Sequence, residues 1–277
     1  MAGATDGPGL RRLIVHPGVQ KTGSTAIQRH LRRNGDRLSD RLVVRTPEAG
    51  SPMRPLGRAA IAFSLSPSPE RGQALQAAFR AVLDTLPDDG RPVLISHENL
   101  AGAMPGNGGE TRLYPALPQI AALLMAEARG FAVDFALYTR HHRTWRPSVW
   151  AQAVRTDGYC RSLVEFQAET ADLPEWDDLI ARLSAQAAVT RFRVEDEGDP
   201  VRPGRQLLRH AGLGEAMIDA LAPLDGPANR RLNDGATEFL RRLNGLSLNP
   251  QAHGRIVDLV ARAEHLFAAD RPSQGTS

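Results

Sequence analysis

Ten consecutive residues hold the densest chemistry in this chain. From His16 to Thr25 they read His-Pro-Gly-Val-Gln-Lys-Thr-Gly-Ser-Thr. Pro17 and Gly18 turn the chain after an apolar run. Gly23 lets the backbone turn again, so that successive N–H groups point into the loop. A helix starting at Ser24 or Thr25 adds the positive end of its dipole. The two hydroxyls are further donors, and Lys21 contributes a mobile charge. Gly18, Lys21, Thr22, Gly23, Ser24 and Thr25 together suit a phosphate or sulfate group. The pattern is not a Walker A loop, where the lysine directly follows the second glycine. Here Lys21 stands two positions before Gly23.

Lys21 is the single lysine of the chain, and the other 33 basic residues are arginine. Lysine is a compact point charge on a flexible stem, whereas arginine is a planar fork. A tight loop that needs a point charge would retain lysine in a chain that elsewhere uses arginine. Positive charge also gathers in two places, residues 1–45 around this loop and residues 139–161, which carry Arg140, Arg143, Arg146, Arg155 and Arg161 against Asp157. Two basic stretches in a chain of net charge +3 suggest a local anionic ligand and not a nucleic-acid surface.

These residues need a scaffold, and the apolar pattern predicts one. Short buried strands are expected at 12–16, 42–44, 92–96, 131–138 and 189–194, with helices at 24–34, 72–86, 115–128, 144–156 and 176–186. Residues 46–57, rich in Pro and Gly, read as loop. Residues 101–112 hold four glycines and a proline and read as a mobile loop. Beyond Gly204 the chain reads as helical in several pieces. Strands alternating with helices imply an α/β fold, a three-layer P-loop-type architecture with a central parallel sheet of about five strands flanked by helices and a helical C-terminal part. One domain is expected over residues 11–269, between a disordered lead (1–10) and tail (270–277). Ligands of such sheets bind at the carboxyl ends of the strands, and the motifs here fall after 16, after 96 and after 138.

Length and composition set outer limits. A chain of 277 residues with 42% hydrophobic and 23% charged residues is ordinary globular protein. No apolar run approaches the roughly 18 residues of a spanning helix. The N-terminal residues lack the apolar core of a secretory signal. One cysteine, Cys160, excludes an intrachain disulfide and a cysteine metal cluster. A cytoplasmic location is the expectation.

The string Lys21-Thr22-Gly23-Ser24-Thr25, after a strand and a Pro/Gly turn that begins at His16, resembles the 5′-phosphosulfate loop of sulfotransferases that use 3′-phosphoadenosine 5′-phosphosulfate (PAPS). It is closest in form to their bacterial branch. Ile27, Gln28 and Leu31 resemble that branch too. The resemblance implies PAPS as donor, 3′,5′-adenosine bisphosphate as product and no metal. It also implies a 3′-phosphate site made by an Arg at a later strand end and a Ser eight residues on. Arg140 and Ser148 stand at that spacing, Arg140 offering a planar fork to the phosphate. Asn229-Arg230-Arg231-Leu232-Asn233 resembles a late segment of the branch with Arg231 in place of its Ser. Arg230 or Arg231 would then serve the 3′-phosphate. The resemblance spans residues 12 to about 244, with specific motifs over some thirty positions.

Sulfuryl transfer to a hydroxyl or amine needs a base for the acceptor's proton. Ser96-His97-Glu98 ends a predicted strand, and both His97 and Glu98 are suitable. Neighbours on a strand face opposite ways, so one of the two would face the donor. The family pattern favours Glu98, with His97 second. In-line transfer builds charge on the bridging oxygen, which Lys21 would offset. The acceptor stays open among a sugar, a lipid headgroup and a small metabolite. Its pocket is expected in segments 46–70, 101–114 and 155–176, among Met53, Phe63, Met104, Tyr114, Tyr159, Phe166 and Trp176. The arginines at 140–146 leave an acidic acceptor open. Peripheral membrane contact and oligomeric state are open as well, and no nucleic-acid partner is expected. The alternatives are a P-loop kinase or nucleotide hydrolase using ATP and magnesium, with Asp134 or Glu98 as the carboxylate, and a catalytically silent nucleotide-binding protein.

Overall fold

A computed structural model describes residues 9–226, 232–246 and 249–268. Five strands, β1 (Arg11–His16), β2 (Val43–Arg45), β3 (Val93–Ser96), β4 (Phe131–Thr139) and β5 (Ala188–Arg193), form one sheet in the order β2-β3-β1-β4-β5. Every pairing is parallel. The helices are α1 (Ser24–Arg33), α2 (Gly35–Leu38), α3 (Met53–Leu65), α4 (Pro69–Leu83), α5 (Leu117–Glu127), α6 (His142–Thr156), α7 (Leu163–Glu169), α8 (Trp176–Ser184), α9 (Arg205–His210), α10 (Glu215–Asp219), α11 (Asp234–Asn244) and α12 (Pro250–Arg262). The expected lead at 1–10 and tail at 270–277 fall mostly outside the described residues.

Strand residues alternate between the two faces of the sheet, which divides the core in two. Leu13, Val15, Val93, Ile95, Phe135 and Leu137 pack into one apolar cluster with α3–α8, α11 and α12. Ile14, Leu94, Ala136 and Tyr138 pack into the other with Ile27 and Leu31 of α1 and with α9 and α10. Apolar residues on both faces explain why the strands read as continuous hydrophobic runs. Three layers result, with the C-terminal third largely helical.

The order of strands fixes where a ligand can enter. From β1 the chain moves outward to β2 and back to β3; from β4 it moves the other way to β5. The switch point therefore lies between β1 and β4, at their carboxyl ends. The loop after His16 and the turn after Thr139 flank it.

One expected loop is corrected. Residues Met53–Leu65 form α3, where 46–57 read as loop. Pro52 is the N-cap and Pro55 lies in the first turn, where a missing N–H removes no helical bond. Residues 102–112 form a loop without helix or strand, as expected, and its first part, 102–106, is buried. Ser64 Oγ of α3 accepts a hydrogen bond from the Ala103 N–H at 2.8 Å, and the Gly106 N–H donates to the Glu110 carbonyl at 2.7 Å.

Candidate functional site

The loop between β1 and α1 is built from unusual backbone. Gly18 (φ 53°), Lys21 (φ 66°) and Gly23 (φ 89°) all occupy the left-handed region. For Lys21 that conformation is costly, and such strain gathers at functional sites. Gly18 is packed so closely that a Cβ there would lie 3.0 Å from Glu98 Cα and 3.1 Å from Ser24 Cβ. The loop is thus moulded onto the end of β3. Gly23 is the N-cap of α1 and no side chain caps the helix, so neither Ser24 nor Thr25 is the cap. Ser24 and Thr25 begin the helix and line a cleft beside Lys21. Thr22 is buried, and both its hydroxyl (2.5 Å) and its N–H (3.3 Å) donate to the Val19 carbonyl. Its side chain holds the turn.

Arg140 meets this loop directly. Its Nη1 donates to the Lys21 carbonyl at 3.2 Å and lies 3.4 Å from Ser148 Oγ, while its Nε donates to Thr144 Oγ1 at 3.1 Å. The pair eight residues apart in sequence is therefore one constellation, at the switch point. Two indoles hold its main chain. Trp145 Nε1 donates to the Gln20 carbonyl at 2.9 Å, and Trp176 Nε1 donates to the Arg140 carbonyl at 2.7 Å. The two rings meet edge to face, 5.0 Å apart, with His142 beside both. Arg230 and Arg231 lie outside the described residues.

Two clefts share this loop as a wall. One, of about 780 Å³, runs past Arg140, Thr144, Ser148 and Arg155 to Val194 and Leu232. The other, of about 380 Å³, is faced by Ser24, Thr25, Glu98, Asn99, Asn107 and Asp157. Lys21, Gly23 and Gln152 line both.

The neighbours His97 and Glu98 part company at the end of β3. Glu98 starts a 3₁₀ turn and lines the smaller cleft. Gln28 Nε2 of α1 donates to its Oε2 at 2.8 Å and so sets its direction. His97 is buried beneath α3, where its Nδ1 accepts from the Asn99 N–H at 3.1 Å. A Cβ on Gly57 of α3 would overlap the His97 ring. Burial lowers the His97 pKa, with the nearby Glu98 carboxylate opposing. His16, which opens the loop motif, is also buried. Its Nδ1 lies 2.8 Å from Ser96 Oγ, and burial brings its pKa down to about 4.

Sequence reasoning missed several residues of this site. Asp157 follows the last residue of α6, and Asn107 lies in the glycine-rich segment. They meet through a 3.1 Å hydrogen bond from Asn107 Nδ2 to Asp157 Oδ1. Burial pushes the Asp157 carboxyl up to about 6. The three segments expected to shape a pocket all reach this cleft, through Ile61, Met104, Asn107 and Asp157, whereas Met53, Phe63, Tyr114, Phe166 and Trp176 belong to the core and Tyr159 packs against it. Asp134, in β4, is bound by His210, which Arg12 also contacts. No protein-family model matches the chain, and comparison with curated proteins returns no match.

Proposed function

We propose that the protein is a sulfotransferase that moves a sulfuryl group from PAPS to a hydroxyl of a small acceptor. The observation that carries this reading is the shared wall: Lys21 and Gly23 face the cleft of Arg140 and Ser148 on one side and the cleft of Glu98 on the other. In-line displacement needs that arrangement, because attacking and leaving oxygens approach sulfur from opposite sides.

The residues present suit an adenosine nucleotide with phosphates at both ends. Arg140 offers its fork and Ser148 its hydroxyl to a 3′-phosphate. The N–H groups of the first turn of α1 have no intrahelical acceptor and serve a 5′-phosphate, together with Ser24 Oγ and Thr25 Oγ1. PAPS supplies an activated sulfuryl group. Lys21 offsets the charge that grows on the bridging oxygen as the S–O bond to the 5′-phosphate breaks. Glu98 takes the proton of the acceptor hydroxyl as its oxygen bonds to sulfur. Gln28 keeps the Glu98 carboxylate aimed into the cleft. His97, turned under α3, supports the start of the 3₁₀ turn and contributes position.

The kinase alternative calls for a carboxylate free to organise magnesium. Asp134 is engaged by His210, and Lys21 precedes Gly23 instead of following the second glycine as in a Walker A loop, so neither feature favours it. Calorimetric titration with 3′,5′-adenosine bisphosphate, beside ATP with magnesium, tests the choice. Metal-free binding of the bisphosphate that is lost in Arg140→Ala is the expected result. Preference for ATP with magnesium, indifferent to Arg140, would overturn the reading.

A further inference from the structure

The smaller cleft carries more polar chemistry than removal of one proton requires. Besides Glu98 it holds the amides of Asn99, Asn107 and Gln152 and a second carboxylate, Asp157. Asp157 accepts from Asn107 Nδ2 on one oxygen and from Thr156 Oγ1, also at 3.1 Å, on the other. Both partners are neutral, and no ion pair to Asp157 occurs among the described residues. A half-buried carboxylate without a cation is costly unless a further partner completes it.

The arginines that left an acidic acceptor open do not reach this cleft. Arg140 lines the larger cleft, Arg143 a hollow that adjoins it and shares Arg140 and His141, and Arg146 the surface beside Gln167. The charged residues on the wall of the smaller cleft are Lys21, Glu98 and Asp157. With Lys21 directed to the donor, two carboxylates face the acceptor. Such a cleft repels an anion and attracts a cation. At about 380 Å³ it is near the lower end for ligand sites, roughly 300–1,000 Å³, which suits a single ring.

We infer that the acceptor is a small polyhydroxylated molecule bearing a protonated amine, with the ammonium docked on Asp157 and one of its hydroxyls presented to Glu98. The inference rests on the sulfotransferase reading, which gives Lys21 to the donor and Glu98 to the acceptor hydroxyl; Asp157 and its two neutral partners are read from the cleft itself. The amides of Asn99, Asn107 and Gln152 match the remaining hydroxyls, and the ammonium replaces the missing cation with a charge-assisted bond.

The test titrates the full chain with glucosamine, glucose, N-acetylglucosamine and glucuronate near neutral pH, with and without 3′,5′-adenosine bisphosphate. Glucosamine should bind at least about tenfold tighter than glucose or the N-acetyl form, the step expected of one charge-assisted hydrogen bond. Glucuronate should bind weakest. Asp157→Asn, which is isosteric and can still accept from Asn107, should erase the preference and leave bisphosphate binding as it was. Wild-type protein gives a second readout without any variant. Docking an ammonium requires the ionised carboxylate and the protonated amine, so it should release about half a proton near pH 6 and, near pH 8 where the free sugar amine is itself partly deprotonated, take up protons instead, read from binding heats in two buffers. Equal or tighter binding of the neutral or anionic sugars, a preference that survives Asp157→Asn, or no binding of the amino sugar overturns the inference. Failure of the bisphosphate to bind overturns the donor reading alone, because the amine preference is also scored without nucleotide.

Discussion

Arg140 donates a hydrogen bond to the main-chain carbonyl of Lys21, joining residues 119 positions apart in the chain. The contact ties the turn after β4 to the loop after β1, and with them the two ends of the proposed nucleotide. Replacing Arg140 by Ala removes a charged donor from the nucleotide and a brace from the loop. Affinity for 3′,5′-adenosine bisphosphate should fall about 10- to 100-fold, the equivalent of one charged hydrogen bond at roughly 1.5–3 kcal/mol. Ser148→Ala should cost less, and Arg140→Lys should recover part of the loss because charge returns without the fork. Calorimetry on the three variants checks the order.

Glu98→Gln keeps the size of the side chain and removes the proposed base. Sulfuryl transfer from labelled donor should slow by about 10²–10⁴, the usual contribution of a positioned base, while bisphosphate affinity holds. A variant that retains full turnover would hand the role to another group.

Gly57→Ala should destabilise the fold, against the ordinary sign. Glycine inside a helix normally costs roughly 0.5–1 kcal/mol relative to alanine. Here the added Cβ would enter the His97 ring, which Asn99 pins in place. Overpacking of this kind costs about 1–3 kcal/mol. Urea midpoints should fall for Gly57→Ala and recover in the double variant with His97→Ala, relative to His97→Ala alone.

Acid should unfold the protein partly through His16. Its folded pKa, about 4, lies below its ordinary 6.5 because burial penalises the charged ring. The unfolded chain therefore binds the proton first. Stability from this group is intact above pH 6.5 and falls as pH drops toward 4, by about 3 kcal/mol over the window. His30 and His97, both shifted the same way by burial, add to the slope. Urea midpoints between pH 7 and 4 should follow that curve, and His16→Gln should flatten it.

Much of the scaffold was legible in the chain because it obeys local rules. The central strands β1, β3 and β4 announce themselves by buried apolar runs, and the loop at 17–25 by its glycines and lone lysine. What was not legible depends on tertiary neighbours. Helix α3 was hidden because Pro52, Pro55 and Gly57 look like breakers, although two sit at the helix start and the third makes room for a ring from β3. Trp176 looked like a pocket aromatic, and its role as donor to Arg140, beside Trp145 as donor to Gln20, appears when the layers close. Asp157 and Asn107, fifty positions apart, share no spacing that a periodic pattern could reveal. Which of His97 and Glu98 lines the cleft likewise turned on α3, which crowds one and leaves the other open to it.

The two clefts have Lys21, Gly23 and Gln152 in common; Asn99, Asn107 and Asp157 face the smaller cleft alone. On the sulfotransferase reading proposed above, that division makes the protein a convenient chassis for engineering. Libraries confined to positions 99, 104, 107 and 157 would recast what is accepted while the opposite cavity, with Arg140 and Ser148, is left as it stands. Selection for new acceptors could then proceed on an unchanged donor platform, one wall at a time.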